Sequence, residues 1–397
     1  MKRTLIALGV AATVALPVAA QAAPKVYGKL NLSVQNVDAD TNTAVPDSFW
    51  EVRSNASRFG VKGEDELTAT LSAVYQIEWE VAGSSSASGA GANPGGNGTS
   101  ATTANDSGLD LAARNRFVGI KSTDFGTLKL GRIDTYLKQA EGKVDQFGDL
   151  LGDIDNVIGA QGGPARANNV IDYSSPTIAE AITINLQLIQ NEYAADGTPA
   201  PAAPAVAYAD NGHGLADSIS TSVVYNSETL WAAIAYNKDV TTNFSSNFDG
   251  VVLGANSSGV AADALRVAAT YNIKPIGLTL GALYQTIKSD VGATAAVPGW
   301  EVSQDGFIVS AALKFAEAWT AKAQYGQSTT DSKTSAAASQ ATDRTTASLG
   351  LDYNFTKNTK AYAFYTTNSV ERTTPPLIGT STTQDPKSFG FGLDHSF

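Results

Sequence analysis

The feature of this sequence that most restricts what the chain can fold into is an alternation of apolar and polar residues with a period of two. Successive side chains of a β-strand point to opposite faces, so this period indicates strands rather than helices. A segment of ~10 residues with one apolar and one polar face is typical of a strand with lipid outside and water inside. The clearest example is the stretch 68–80, in which one face carries Ala69, Leu71, Ala73, Tyr75, Ile77 and Trp79 and the other is mostly polar.

Segments with this alternation recur to the end of the chain, and we count sixteen. An even number places both ends of the chain on the same side of a membrane, as bacterial barrels require. The sequence therefore predicts an all-β fold, a transmembrane antiparallel β-barrel. The predicted strands span approximately residues 26–37, 48–62, 67–80, 112–122, 124–133, 166–175, 179–191, 218–228, 230–238, 264–274, 276–288, 302–314, 318–328, 343–354, 358–369 and 386–397.

The connectors between these segments alternate between short and long. Tight links at 123–124, 272–275, 315–317 and 356–358 follow the fourth, tenth, twelfth and fourteenth strands, and long stretches rich in small and polar residues lie between them. Short periplasmic turns and long extracellular loops are typical of an outer-membrane barrel. Flexible linkers between soluble domains have a similar composition, but the segments that they would join here are single hairpins, which are too small to fold alone.

Composition excludes several other classes of protein. After the first residues, no stretch reaches the ~18–20 consecutive apolar residues of a membrane-spanning helix, which excludes a helical membrane protein. The chain has no Cys, which excludes disulfides, thiolate zinc sites and Cys nucleophiles. A net charge of −11 and the lack of a basic run with interleaved aromatic residues argue against nucleic acid as a partner.

The start of the chain has the pattern of an export signal. Lys2 and Arg3 precede an apolar run from Leu5 to Leu16, which is followed by Pro17 and the small-residue sequence Ala20-Gln21-Ala22. This order of charged, apolar and small residues is typical of a secretory signal peptide. We expect residues 1–22 to be the signal peptide and 23–397 to be a single barrel domain.

The end of the chain is an amphipathic strand that finishes on an aromatic residue. Phe389, Phe391, Leu393, His395 and Phe397 fall on one face. A terminal Phe in this position resembles the signal by which the barrel-assembly machinery recognises outer-membrane proteins. The alternative is an amphipathic strand without that role.

Four stretches carry a resemblance to one family of barrels. They are Val26-Tyr27-Gly28-Lys29, Ser57-Arg58-Phe59-Gly60-Val61-Lys62-Gly63-Glu64-Asp65, Asn115-Arg116-Phe117-Val118-Gly119-Ile120-Lys121 and Phe125-Gly126-Thr127-Leu128-Lys129-Leu130-Gly131-Arg132. In order and spacing they resemble the Gram-negative general porins, over essentially the whole chain after the signal peptide. The resemblance implies a homotrimer of sixteen-stranded barrels in the bacterial outer membrane, in contact with lipid and lipopolysaccharide. It implies passive diffusion of ions and small hydrophilic solutes, with no enzyme activity, cofactor or metal.

The resemblance also implies that the third long loop, between 133 and 164, folds inward and narrows the pore. Its carboxylates would then face the lumen, and we expect Asp145, Asp149, Asp153 and Asp155 to form the acidic side of a constriction. A solvated acidic loop outside the pore is the alternative.

General porins carry basic side chains on the wall opposite this loop, and four positions match. Lys29 follows Tyr-Gly, Arg58 precedes Phe-Gly, Arg116 precedes Phe-Val-Gly, and Arg166 opens the sixth strand. The alternation itself places Lys29 on the polar face, whereas it supports Arg58 less clearly because the first half of the second strand breaks the period. A salt-bridged wall residue without a transport role is the alternative for each.

Opposite charges on facing walls of a narrow constriction create a transverse field that favours small hydrophilic solutes. The acidic net charge favours cations and the arginines favour anions, so composition does not decide the selectivity. Three other functions stay open at this stage. They are a porin biased toward an anion, sugar or carboxylate; a receptor or adhesin that uses the long loops; and a Ser/His enzyme using His213 or His395. Calcium bound by Asp149, Asp153 and Asp155 is a separate possibility, although their spacing matches no EF-hand loop.

Overall fold

Antiparallel strands make up most of the computed structural model. It describes residues 23–40, 48–81, 111–158, 166–190, 214–243, 258–291, 300–334, 339–373 and 382–397. The predicted signal peptide and His213 lie outside these ranges. The strands are β1 (Lys25–Asp38), β2 (Ser48–Ser54 and Arg58–Thr68), β3 (Leu71–Val81), β4 (Leu111–Ser122), β5 (Gly126–Asp134), β6 (Arg166–Ser174), β7 (Ile182–Ile189), β8 (Ser218–Asn226), β9 (Leu230–Asn243), β10 (Ser258–Ile273), β11 (Leu278–Val291), β12 (Trp300–Lys314), β13 (Trp319–Thr334), β14 (Ser339–Asn354), β15 (Thr359–Thr373) and β16 (Thr382–Gln384 and Lys387–Ser396).

Each strand pairs with its neighbours in the sequence, and the sheet closes on itself. β16 pairs with β1 in antiparallel register, with Leu393 opposite Leu32. The two segments of β2 both pair with β1, and the two segments of β16 both pair with β15, so the strand segments form sixteen barrel strands. The predicted fold class is therefore confirmed. None of the helices in the described part of the chain is long and apolar enough to cross a membrane.

The turn between β2 and β3 lies further along the chain than the alternation predicts. The predicted second strand ends at 62 and the third begins at 67, but β2 continues to Thr68 and the turn is formed by Ala69 and Thr70. The reason is that Glu64 points to the aqueous inner face, where its carboxylate lies 3.0 Å from Nζ of Lys121 in β4. A charged run that suggests a turn is therefore part of a strand.

A bulge explains why the first half of β2 breaks the period of two. Asn55, Ala56 and Ser57 separate the two segments, and Ala56 has φ +48°. Asn55 and Ser57 are buried, and Nδ2 of Asn55 donates to Oγ of Ser33 over 3.0 Å. The extra residue resets the alternation, as bulges do, so that Arg58 faces inward.

The two faces of the barrel have the composition that a membrane requires. Val118, Leu130, Ile234 and Phe391 are among the apolar side chains that the outer face exposes, each by half or more. The inner face buries polar side chains instead. An apolar outer band around a polar interior is the pattern of a membrane barrel.

The end of the chain closes the barrel at β1. Phe397 and Gly28 exchange two backbone hydrogen bonds of 3.0 Å, and the Phe397 ring covers Gly28 so closely that a Cβ there would lie 2.9 Å from Cε1 of the ring. Only glycine at this position lets the terminal aromatic ring lie flat on the outer wall.

We expect Gly28→Val to destabilise the barrel by about 1–3 kcal/mol, because overpacking displaces the Phe397 ring. The measurement is the temperature at which the folded band is lost on a semi-native gel, with Val34→Leu on the same face of β1 as the control. Equal midpoints for Gly28→Val and the wild type would contradict the role of this contact.

Candidate functional site: an inward-folded loop facing a basic wall

The described part of the loop after β5, residues 135–158, lies inside the barrel, where its apolar side chains pack on the wall. It begins with a short helix, α1 (Tyr136–Gln139), whose first turn is capped by Oγ1 of Thr135, and it contains one 3₁₀ turn at Ile154–Asn156. Leu137 packs on the inward alanines of β9 and β10. Ile154 and Ile158 pack with residues of β10, β11 and β12. This part of the chain is therefore a buried lining of the inner wall, not a solvated loop.

Small residues on the wall make room for the loop. A Cβ at Gly281 would lie 3.2 Å from Cα of Val144, a Cβ at Gly350 would lie 2.9 Å from the ring of Phe147, and a Cβ at Gly306 would meet Cγ2 of Ile158. Side chains at these inward positions would push the loop toward the centre of the pore.

Hydrogen bonds from the wall fix the middle of the loop. Gln324 in β13 accepts from the backbone N–H of Gln146 and donates to the carbonyl of Gly152, both over 2.8 Å. Nζ of Lys322 donates to the carbonyl of Gln146 over 3.1 Å, and Oγ of Ser328 donates to the carbonyl of Val157 over 2.6 Å. Buried backbone groups need such partners, so the loop has one defined path along the wall.

The four predicted acidic residues all lie in this loop. Asp153 accepts from the backbone N–H groups of Asp149 and Asp155 over 2.7 and 2.8 Å, and Asp145 accepts from that of Phe147 over 2.9 Å. These carboxylates therefore shape the loop as well as charge it. Oδ2 of Asp145 and Oδ1 of Asp155 are buried without a hydrogen-bond partner among the described residues.

Burial and neighbouring carboxylates raise the pKa values of three of these carboxyl groups, those of Asp145, Asp153 and Asp155. Desolvation, together with the neighbouring carboxylate of Asp155, raises the pKa of Asp153 to about 7. Desolvation and Glu141 raise the pKa of Asp155 to about 6. Desolvation and Asp153 raise the pKa of Asp145 well above its usual value. The charge of the loop therefore varies with pH near neutrality.

Two of the four predicted basic residues lie side by side on the inner wall. Lys29 in β1 is paired directly with Arg58 in β2, and Arg58 is paired with Glu80 in β3. Nζ of Lys29 lies 3.8 Å from carboxylate oxygens of both Asp149 and Asp394. Lys29 therefore contacts the acidic loop directly. The resemblance implies a different arrangement, in which Lys29 lies across the pore from the loop.

Arg166 lies at the base of the loop. Its Nε is 2.9 Å from Oδ1 of Asp134, the last residue of β5, and donates to Oδ1 of Asn115 over 3.1 Å. Arg166 therefore ties the start of β6 to the point where the loop leaves the wall.

Arg116 does not lie on the inner wall, and the prediction that places it there is not supported. It is paired with Ile77, and its guanidinium lies 5.6 Å from the ring of Trp79. Both residues belong to the outward face of β3. Val118 and Ile120 are exposed on the same face of β4 as Arg116. The alternation alone therefore predicts that Arg116 points outward, whereas the resemblance to the porin family predicts the opposite.

Arg114 occupies the inner wall instead. Its Nε lies 2.6 Å from Glu78 and its Nη1 lies 2.9 Å from Glu80. The register between β3 and β4 shifts at this point, so two residues of β4, Arg114 and Asn115, lie opposite one residue of β3, Glu78. Such a bulge turns an extra residue inward, and no feature of the sequence announces it.

A second charged group that the sequence analysis missed lies on β13 to β15. Asp352 has Nζ of Lys322 at 3.0 Å and Nζ of Lys360 at 3.1 Å. Lys322 also lies 5.1 Å from the centre of the Phe147 ring. The alternation places Lys322 and Lys360 on the polar face, but the contact of Lys322 with the loop depends on long-range packing.

The described residues hold no group of three or more acidic or histidine side chains arranged to bind a metal. His395 lies on the face of β16 that also carries Phe397, with its Nδ1 2.9 Å from Oγ1 of Thr359.

Comparison with known proteins agrees with this geometry. The family model described as Gram-negative porin matches residues 7–373, and the chain belongs to that family. It is an outer-membrane β-barrel, as the sequence predicts.

Several curated relatives match part of the chain, and two of them serve as examples. The major outer membrane protein P.IB of Neisseria gonorrhoeae is 30% identical over 187 residues, which cover 45% of this chain and 46% of that protein. An outer membrane porin protein of Bordetella pertussis is 26% identical over 191 residues, or 45% of each chain. The chain thus spans about half the length of the curated relatives that it matches.

Solved structures share the fold over nearly the whole chain. An anion-selective porin from Comamonas acidovorans has a TM-score of 0.59 at 17% identity, with 94% of this chain and 99% of that chain covered. The trimer form of in-vitro folded OmpT, an outer-membrane protein of Vibrio cholerae, has a TM-score of 0.60 at 16% identity, with coverage of 94% and 99%.

Proposed function

We propose that this protein is a water-filled channel for passive diffusion of ions and small hydrophilic solutes across the outer membrane. The observation that carries the proposal is the acidic loop held inside a closed barrel, with a basic inner wall on β1 to β4. Membership of the porin family indicates a channel and not an enzyme. We also propose that residues 1–22 are an export signal and that 23–397 form the barrel domain, because the start of the chain has the residue pattern of a signal peptide.

The constriction lies between the loop and the wall. Asp145, Asp149, Asp153 and Asp155 supply its acidic side, whereas Arg58 and Arg114 supply its basic side. Lys29 joins the wall to Asp149, and Arg166 lies at the base of the loop. Charges of opposite sign across a narrow aqueous gap orient water and polar solutes. An apolar solute gains no compensating hydrogen bonds there, so hydrophilic molecules pass preferentially.

We propose that the barrel assembles as a homotrimer in a bilayer of lipid and lipopolysaccharide. The barrel-assembly machinery would recognise Phe397 at the end of the last strand. Support comes from the trimeric form of one structural neighbour. The small outward residue Gly28 beside Phe397 is compatible with assembly, because it keeps the terminal ring flat against the wall.

The experiment is to refold the protein, insert it in a planar bilayer and record current under a salt gradient. Stepwise, near-ohmic conductance in groups of three is expected, together with liposome uptake of small sugars that falls steeply with solute size. A folded barrel that passes neither ions nor sugars would overturn the proposal.

A further inference from the structure

Arg266 in β10 is the largest side chain that is completely buried in the described residues. It lies behind the inward-folded loop, where its Nη1 donates to the carbonyl of Leu137 over 3.0 Å and its Nε donates to Oε1 of Gln285 over 2.8 Å. Gln285 in β11 is also buried, and its Nε2 donates to the carbonyl of Ile158. Leu137 and Ile158 stand near the two ends of the described part of the loop. One hydrogen-bonded pair of wall residues therefore contacts both ends.

Apolar clusters surround the two loop residues that this pair contacts. Leu137 belongs to one buried apolar cluster and Ile158 to another, and both clusters use small inward side chains of the wall. Apolar contacts are not directional, so they hold the loop against the wall without fixing its position along the wall. Hydrogen bonds to two particular carbonyl groups do fix that position.

The charge of Arg266 has a partner in the loop. Its Nη1 lies 3.8 Å from Oε2 of Glu141, while its Nη2 is buried without a hydrogen-bond partner among the described residues. Burial of an incompletely paired guanidinium is costly, and an apolar side chain of similar size would fill the space without that cost. The gain that offsets the cost is attraction to the acidic loop on the lumenal side.

We propose that Arg266 and Gln285 form a clamp that fixes both ends of the constriction loop to the barrel wall and thereby sets the width of the open pore. The inference rests on the proposed channel function. In this scheme Arg266 and Gln285 are positioning residues: they act on permeating ions through the loop.

Arg266→Met and Gln285→Leu remove the clamp while they keep the volume of the side chains. Both are expected to raise single-channel conductance by roughly half or more and to add noise to the open-channel current, because the width of the pore governs conduction. Gln304→Leu is the matched control: Gln304 is a buried inward Gln of β12 that bonds to Thr330 of the wall rather than to the loop. Should Arg266→Met fail to fold, Gln285→Leu carries the test without loss of a charge.

A reversible tether separates a positioning role from a general structural one. The chain has no Cys, and a Cβ at Gly306 would meet Cγ2 of Ile158. Ile158→Cys removes that branched side chain and makes room for Gly306→Cys, so the pair brings two thiols within disulfide reach without pushing the loop away from the wall. In the Gln285→Leu background, the oxidised pair is expected to restore wild-type conductance and noise, and a reducing agent is expected to abolish that rescue.

The outcomes are distinct. Wild-type conductance and noise in both Arg266→Met and Gln285→Leu would overturn the clamp and leave the channel intact. Failure of the oxidised pair to restore the wild-type current would also overturn it, because the variants would then act by another route. Absence of conductance in the wild-type barrel would instead overturn the proposed function itself.

Discussion

Arg114→Gln is expected to shift the reversal potential of the channel strongly toward cation selectivity, while Arg116→Gln leaves it unchanged. Arg114 lies on the inner wall between Glu78 and Glu80, at 2.6 and 2.9 Å. Removal of its charge leaves Glu78 and Glu80 without the guanidinium that bonds to both of them, and the inner wall becomes more negative. Arg116, two residues away in the same strand, lies over Trp79 on the outer face and contributes no charge to the lumen.

The size of the shift has an upper limit. A pore that passed one sign of ion alone would give about 59 mV for a tenfold gradient of a monovalent salt, and we expect Arg114→Gln to use roughly 10–20 mV of that range. The measurement is the zero-current potential in potassium chloride at neutral pH. Arg114→Lys, which keeps the charge, should stay close to the wild type. Equal shifts for Arg114→Gln and Arg116→Gln would contradict the assignment of faces in β4.

The contrast between these two arginines shows what a sequence of this kind can and cannot reveal. A membrane barrel repeats one simple rule, apolar outward and polar inward, so the sixteen strands follow from the period alone. A bulge breaks the rule by one residue. The bulge at Arg114 and Asn115 exchanges the faces of the residues around it, and its cause lies in the pairing with Glu78 and not in the local sequence.

The loop shows the same division between local and long-range information. The sequence predicts its carboxylates as one side of the constriction, and all four lie in the inward-folded segment. The side chains that hold it are missed, because Arg266, Gln285 and Gln324 come from strands far along the chain. The sequence does indicate that something packs on this part of the wall, because several inward positions of β9 to β14 hold Gly or Ala. A wall that carries small residues in place of polar ones has something packed against it.

A fall in pH from about 7 to about 5 is expected to move the reversal potential of the wild-type channel toward anion selectivity, because the pKa of Asp153 is raised to about 7 and that of Asp155 to about 6. A carboxyl group is charged above its pKa and neutral below it, so these groups lose negative charge as the pH falls. Arginine side chains keep their charge over this range of pH. The balance at the constriction therefore becomes more positive.

The variant that tests this mechanism is Asp145/Asp149/Asp153→Asn. Asn keeps the oxygen that caps the turn at Ile154. Asp153→Asn gives up the second bond, which Oδ2 of Asp153 accepts from the N–H of Asp149, so the variant loses charge and one of the hydrogen bonds within the loop. At pH 7 the variant should already show an anion shift, and its own pH dependence should be reduced to the part that Asp155 and Glu141 carry. Asp305→Asn is the control, since Asp305 lies on the outer face, where it accepts from Tyr284 over 2.8 Å. A triple variant that titrates like the wild type would mean that the loop carboxylates do not face the permeating ions, and the acidic side of the constriction would then have to be sought elsewhere on the wall.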